Sequence, residues 1–421
     1  MAVVGAGAAG LVAAAFASAA GGKVTLIERS KDGGRKILIS GGGRCNVLPS
    51  VAAPERFVTD SPRHLLRAML RAWPLHEQRA FFERDLDIPL ALEEESGKLF
   101  PRSNRAKDVR DGLVAYARAQ GVELQLDTSV TGVRRETGGF VVQTSRGDLP
   151  CARVVLATGG LSVPGTGSDG TGLRIAKNFG VHVIDTYPAL TPLLADGRSG
   201  PPHAALAGVS LTVRLRAKTD SSVIETEGGF LFTHRGYSGP SVLDISHVTA
   251  RGETPIIRAQ WSALTAADWK REFIAADRRA PPRGHTPRAE DTTPGLSSDS
   301  VAAILGQHMP GRLAEQLMQE CGVPSNRRTS SLKRDERVAL VDALTAYPLP
   351  WTGNEGYKKA EVTGGGVALY EVDLRTLESR RVPGLYLCGE MLDAFGPIGG
   401  HNFSWAWATG RAAGLAAGQP R

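Results

Sequence analysis

Cysteine is scarce in this 421-residue chain. Its four cysteines, Cys45, Cys151, Cys321 and Cys388, stand far apart, with no CxxC pair and no zinc-type spacing. That argues against a disulfide framework and against a structural metal, and it suits a reducing cytoplasm. Disorder-grade composition is missing as well: 42% hydrophobic and 22% charged residues make ordinary globular material, long enough for two or three domains. Residues 1–22 are apolar enough to suggest a signal peptide or a membrane span, but glycines break the stretch and no basic residue precedes Lys23. There is no acidic surplus either. The net charge is +7 and the pI about 9.3, which hints at an anionic partner such as nucleic acid, although a nucleotide cofactor and an Arg-rich composition also give it and are the preferred reading.

What is present is glycine in a particular order. The apolar stretch Val3-Val4 runs into Gly5-Ala6-Gly7-Ala8-Ala9-Gly10, then an Ala-rich run to Ala20, then Gly21-Gly22, then Lys23-Val24-Thr25-Leu26-Ile27-Glu28. Strand, GxGxxG turn, small-residue helix, helix stop and an acid-terminated second strand make a full βαβ dinucleotide fingerprint. In that pattern Gly5 allows the tight turn, Gly7 admits a pyrophosphate, Gly10 lets helix and strand close up, and Glu28 accepts from a ribose diol while repelling a 2′-phosphate.

Downstream, residues 31–49 form a Gly-rich loop with Arg35, Lys36, Arg44 and Cys45, suited to backbone wrapped round a phosphate or a flat ring. Helices are expected from Ser61, read as an N-cap ahead of Pro62, to Trp73, from Glu77 to Arg84, and from about Asn104 to a stop at Gly121. Val122–Leu126, Val130–Glu136 and Gly139–Ser145 read as a β-meander, and Arg153–Leu156 as a buried strand ending at Thr158-Gly159. Gly165–Gly170 repeats GxGxxG, but Pro164 spoils the strand before it, so a Gly-rich active-site loop capping a helix is the better reading than a second dinucleotide site.

From Pro188 the texture changes to short alternating strands ending in His234-Arg235-Gly236-Tyr237-Ser238-Gly239-Pro240, and then to helical patterns at about 300–307, 312–321 and 333–344. Residues 278–300 read as a flexible link, and Arg327, Arg328, Lys333 and Arg334 as a solvated basic face, with nucleic-acid contact as the minority reading. The chain returns through Lys359–Val367 and the apolar strand before Gly389-Glu390, after which Gly399-Gly400-His401-Asn402 opens a last helix whose Gly410, Gly414 and Gly418 suit close packing on the Ala-rich first helix.

The fold class that follows is α/β. It comprises a discontinuous Rossmann-like dinucleotide-binding domain (1–188 and 350–421), which the resemblance below makes an FAD-binding one, an inserted antiparallel β domain (189–262) and a small helical domain (263–349). VVGAGAAGL, KILISGGGRCN, VVLATGG, LFTHRGYSGP, KAEVTGGGV and VPGLYLCGEMLDAFGPIGGHNFSWAWATG resemble the BaiN/RdsA-type flavoproteins of the glutathione-reductase-like FAD superfamily.

The resemblance implies FAD held by Gly5, Gly7, Ala8, Ala9, Gly10, Glu28, Arg29 and Lys36, by Gly41, Gly42, Gly43, Arg44, Cys45 and Asn46, by Thr158 and Gly159, and by Gly389, Glu390, Gly400, His401 and Asn402. It implies no metal, with NAD(P)H as a transient donor. The expected activity is a cytoplasmic FAD-dependent reductase of a carbonyl-conjugated double bond in a small molecule, away from membranes. The rivals are reduction of a uridine in ribosomal RNA, and a flavin-binding protein without turnover. Cys45, Tyr237 and His401 are the candidate proton donors and Arg44 the nearest fixed charge.

Overall fold

Five parallel strands of three residues each, drawn from both ends of the chain, form one sheet. In spatial order they are Leu385–Leu387, Val154–Leu156, Ala2–Val4, Thr25–Ile27 and Glu123–Gln125. The three central ones are apolar and buried almost throughout, as a parallel sheet covered on both faces requires. This is a computed structural model, and it describes residues 1–197, 200–219, 222–251, 254–279 and 300–420. The Pro- and Arg-rich stretch 278–300 falls outside them except at its ends.

The first helix, Ala8–Ala19, and the last, His401–Gly418, lie against each other through small residues. A Cβ on Gly410, Gly414 or Gly418 would stand 2.4, 2.3 or 2.2 Å from the carbonyl oxygens of Ala9, Ala13 and Ala17 respectively. Hence the four-residue glycine spacing is a packing seam within the protein. No described helix is long and apolar enough to cross a membrane.

Two local readings need correction. Glu123–Gln125 is not the first strand of a meander: it pairs in parallel with Thr25–Ile27 at the sheet edge. The antiparallel meander is instead Val130–Glu136, Gly139–Thr144 and Gly147–Cys151. Helix Ala106–Ala119 returns the chain to the parallel sheet just before residue 123, and that placement overrides local spacing. Nor does Ser61 cap the helix Arg63–Arg71. Its backbone N–H and hydroxyl both donate to Asp393 Oδ2, at 2.9 and 2.8 Å, tying the segment to the C-terminal part of the same unit.

The chain divides into two compact units, Met1–Ala189 with Gly356–Arg421, and Leu190–Glu355. The second is built on a seven-stranded antiparallel sheet. Its order is Tyr347–Pro348, Ile257–Gln260, Ser210–Lys218, Val223–Phe232, Gly236–Ser238, Leu193–Leu194 and Gly353–Asn354. Along Ser210–Lys218 the burial alternates, Val213, Leu215 and Ala217 facing in between exposed polar neighbours, so one sheet face is core. Phe230 and Phe232 from the strand Val223–Phe232, Trp261 just after Ile257–Gln260, and Trp269, Leu317 and Leu340 from helices Ala266–Arg279, Gly311–Glu320 and Arg334–Thr345 share a single hydrophobic cluster.

Candidate functional site

The C-terminal ends of the parallel strands open into a cleft of about 890 Å³ lined entirely by the first unit. A ligand crevice outside the carboxyl ends of such strands is the general rule for open α/β sheets. At its centre is the turn Gly5–Gly10. A Cβ on Gly10 would stand 1.8 Å from the Gly5 carbonyl oxygen, so only glycine lets this helix start so close to its strand. A Cβ on Gly7 would meet nothing within 4 Å, because Gly7 faces the open cleft. Gly7 is also the helix N-cap and supplies no side-chain cap, leaving first-turn N–H groups free for an anion.

At one end of the cleft, Glu28 lies beyond the second strand. Its Oε2 accepts from Ala6 N–H at 2.8 Å, and its Oε1 accepts from Ser30 N–H and Oγ at 2.9 and 2.7 Å. The carboxylate therefore holds the phosphate turn in place, and of its roughly four acceptor positions one remains for a ligand hydroxyl. Arg29 pairs with Asp169 at 2.6 Å, pinning the loop 165–170, whose Gly170 is the N-cap of helix Thr171–Asn178. That loop lines the cleft, and the strand after its helix, Val183–Ala189, pairs antiparallel with Val362–Val367 instead of joining the parallel sheet, unlike a second dinucleotide unit.

The other end gathers residues distant in sequence. Lys36 Nζ donates to Ser162 Oγ at 2.6 Å and to Glu390 Oε2 at 2.7 Å. Glu390 Oε1 accepts from Ser162 Oγ and from Thr363 N–H, and Thr363 Oγ1 in turn accepts from Leu161 and Ser162 N–H. With its amide oriented to satisfy its neighbours, Asn46 accepts from Gly400 N–H at 3.1 Å and donates to Leu48 O at 3.2 Å, fixing the N-cap of the last helix. Asn402 donates to Gly396 O and accepts from Gly396 N–H, both at 2.9 Å. The helix N-terminus at Gly400 therefore meets the cleft as a rigid, uncapped end that attracts negative charge.

Gly5, Gly7, Ala8, Ala9, Glu28, Arg29, Lys36, Gly41, Gly42, Arg44, Asn46, Thr158, Gly159, Glu390, Gly400 and Asn402 all line this cleft. Gly10, Gly43, Cys45, Gly389 and His401 do not, Gly10 and Gly389 serving as close-packing points. Cys45 is fully buried, and burial pushes its thiol up to about 12. His401 points into an edge-on contact with Phe57, and burial first, then Arg56, lowers its pKa to about 4. Neither side chain lines the cleft, so neither stands where a general acid would meet a ligand bound there. Tyr237 belongs to the second unit, fully buried, its hydroxyl 2.8 Å from His203 Nδ1. Arg44 pairs with Glu93 at 3.1 Å and lies over the Phe100 ring at 3.9 Å. Ser162, Thr363, Lys98 and Glu361 were not singled out from the sequence, although Thr363 and Glu361 stand inside the KAEVTGGGV motif.

The arrangement fits FAD. The uncapped turn and Glu28 suit an adenosine diphosphate, and the volume is in the range of small-molecule sites, about 300–1,000 Å³. No group of three or more metal-type ligands occurs among the described residues.

The HI0933-like protein Rossmann domain matches residues 1–416. The chain is 35% identical over 408 residues to a ribosomal RNA dihydrouridine synthase of Escherichia coli strain K12, covering 97% of this chain and 95% of that protein. It is 31% identical over 420 residues to a 3-dehydro-bile acid delta(4,6)-reductase of Clostridium scindens, covering 99% and 98%. Among solved structures, a 3-ketosteroid-delta4-(5alpha)-dehydrogenase from Rhodococcus jostii RHA1 has a TM-score of 0.52 at 15% identity, covering 100% of this chain and 96% of that one, a likeness of fold.

Proposed function

The chain belongs to the HI0933-like family, the BaiN/RdsA-type FAD-dependent oxidoreductases, and on that footing we propose that it reduces a carbon–carbon double bond conjugated with a carbonyl, the first candidate being the 5,6 double bond of a uracil base in RNA. The observation that carries the reading is the cleft itself. It has a phosphate turn at its centre, Glu28 at one end, and at the other the uncapped helix N-terminus at Gly400, which stabilises charge gathering on a flavin's pyrimidine side. When bound, FAD supplies hydride chemistry. Of the chain's own residues, Asn46 and Gly400 would lie beside the bound group, their mutual hydrogen bond fixing the helix end, while Lys36, Ser162 and Glu390 hold the clasp.

Uracil is placed first because the E. coli relative bears a ribosomal RNA name over nearly its whole length, and because the net charge of +7 suits a polyanion. The basic cluster is not all free for phosphates, since Arg327 pairs with Glu336 at 2.9 Å. A second reading, a steroid-type enone, is supported by the C. scindens relative and shares the same bond chemistry. NAD(P)H is the proposed electron donor and the cytoplasm the proposed compartment.

The test is anaerobic. Protein reduced by NADH or NADPH is mixed with unmodified ribosomal RNA or with a 4-en-3-one steroid, and return of the oxidised flavin spectrum is followed. Reoxidation by RNA with dihydrouridine formed is expected. Reoxidation by the steroid alone would move the substrate to the second reading, and reoxidation by neither would remove both.

A further inference from the structure

Ten charged side chains line the cleft, and eight are already engaged. Arg29 pairs with Asp169, Arg35 with Asp32, Lys36 with Glu390 and Arg44 with Glu93, while Glu28 accepts from Ala6 and Ser30, and Arg174 donates to Asp169 O and Thr171 Oγ1. Lys98 and Glu361 are the two that have neither a hydrogen bond nor an ion pair among the described residues, although the Lys98 charge also acts on Glu93, its neighbour across the strand pair.

They share one end of the cleft. Lys98 Cε lies 3.9 Å from where a Cβ on Gly399 would stand, beside the N-terminus of the last helix. Glu361 precedes by two residues Thr363, whose N–H is bound by Glu390. The Lys98 charge reaches Glu361 although no hydrogen bond or ion pair joins the two, and both side chains line the cleft. Glu361 turns accessible surface to the cleft, yet the walls around it raise its carboxyl pKa by burial, against the opposing pull of Lys98 and then Lys36. Lys36 is itself largely neutralised by Glu390, so Lys98 is the cation left to act on Glu361.

We propose that Lys98 holds the carbonyl oxygen of the acceptor and that Glu361 delivers the proton to the carbon next to that carbonyl. The assignment rests on the reading of the chain as a reductase of conjugated double bonds. Hydride, with its electron pair, passes from the reduced flavin to the β-carbon and forms the first C–H bond. The π pair moves to the carbonyl oxygen beside the Lys98 ammonium. The enolate then returns the pair to the α-carbon, where a second C–H bond forms as the Glu361 O–H bond breaks, leaving a carboxylate that regains its proton from water. The acceptor is reduced by two electrons and the flavin is oxidised by two. Neither residue is needed to close the protein's own hydrogen bonds, so both are free for this task.

The experiment has two arms on the flavin-loaded protein and on its Glu361→Gln and Lys98→Met variants. In the first, the visible spectrum of the oxidised flavin is titrated with pH. A transition present in the parent, absent from Glu361→Gln and moved to higher pH in Lys98→Met places Glu361 beside the ring. Identical titrations in all three overturn the assignment without any substrate. In the second, dithionite-reduced protein is mixed with a uridine oligonucleotide or a 4-en-3-one steroid in D₂O. Glu361→Gln should slow reoxidation about 10²-fold, the scale for losing a general acid. It should also abolish the fall in rate that the parent shows as pH rises through the Glu361 pKa, and scramble the face on which deuterium enters the α-carbon. A parent that reacts and a Glu361→Gln variant that matches it in rate and stereochemistry would overturn the assignment. A parent that reacts with neither acceptor counts against the reductase reading, and the first arm then decides on Glu361 alone.

Discussion

Lys36 Nζ and Glu390 Oε2 stand 2.7 Å apart, joining a short helix near the start of the chain, Arg35–Ile39, to the helical turn Gly389–Met391 near its finish. Both side chains are mostly shielded, at 25% and 18% exposure, and Ser162 bridges them through Nζ and Oε1. A clasp of this kind closes a domain whose two halves are separated in sequence by the whole second unit.

The clasp makes the first prediction. Lys36→Met leaves a shielded carboxylate without its cation, and Glu390→Gln leaves the ammonium without its anion, so each should cost about 1–3 kcal/mol. The double variant should cost less than the sum of the two, because it removes both uncompensated charges. Thermal unfolding of the four proteins checks this, and strictly additive losses would show that the contact contributes nothing as a pair.

Two glycines of one motif should fail in different ways. At Gly7 the protein leaves open space and the backbone is extended, φ −78° and ψ −170°, a conformation a β-branched residue adopts. Gly7→Val should therefore fold with normal stability but purify without flavin, since only a pyrophosphate would meet the new side chain. Gly10→Ala places a methyl 1.8 Å from the Gly5 carbonyl oxygen and should damage the fold itself. Flavin content and circular dichroism separate the two cases. A Gly7→Val protein that stays yellow would show that the phosphates lie elsewhere.

The cofactor half of the site was legible because its signals are local. GxGxxG, the helix stop and Glu28 fall within one βαβ unit, and backbone geometry dictates their spacing. The strand at Glu123–Gln125 was legible but its pairing was not, because its partner Thr25–Ile27 lies far back in the chain and a short alternating run looks the same in a hairpin or a crossover. Ser61 carried a convincing cap signal that Asp393, remote in sequence, outcompetes. Being near a motif in sequence does not say which way a side chain turns, and Cys45 and His401 turn inward while Glu361 and Lys98, which meet only in the fold, turn to the cleft.

The seam between the first and last helices yields a prediction in which two effects oppose each other. Replacing a mid-helix glycine by alanine should gain about 1 kcal/mol from helix propensity. At Gly414, however, the added methyl would sit 2.3 Å from the Ala13 carbonyl oxygen, and neither backbone can yield without parting the helices. Overpacking costs about 1–3 kcal/mol, and a clash with backbone belongs at the upper end, so Gly414→Ala should be destabilised by about 2 kcal/mol net. Denaturant unfolding reads this directly. A stabilised Gly414→Ala would mean that the helices are further apart than this seam requires.

The last prediction concerns His401. Its ring is 5% exposed, packs edge-on against Phe57 and is held neutral, with its pKa lowered from 6.5 to about 4 chiefly by burial and secondarily by Arg56. The unfolded chain, with an ordinary imidazole, takes up a proton that the folded protein refuses, so stability falls as pH drops from about 6.5 towards 4 and is level on this account above that window. A shift from 6.5 to about 4 corresponds to on the order of 3 kcal/mol once both pKa values are passed, at about 1.4 kcal/mol per unit. His401→Gln removes the titrating group. It should have lower stability at pH 7 through lost packing, and a visibly flatter loss between pH 6.5 and 4 than the parent. Chemical denaturation at half-unit pH intervals measures both slopes. Equal slopes would show that His401 is not the buried neutral histidine that makes the fold acid-sensitive. Because this readout needs no substrate, it tests the inward orientation of His401 separately from any role in proton transfer.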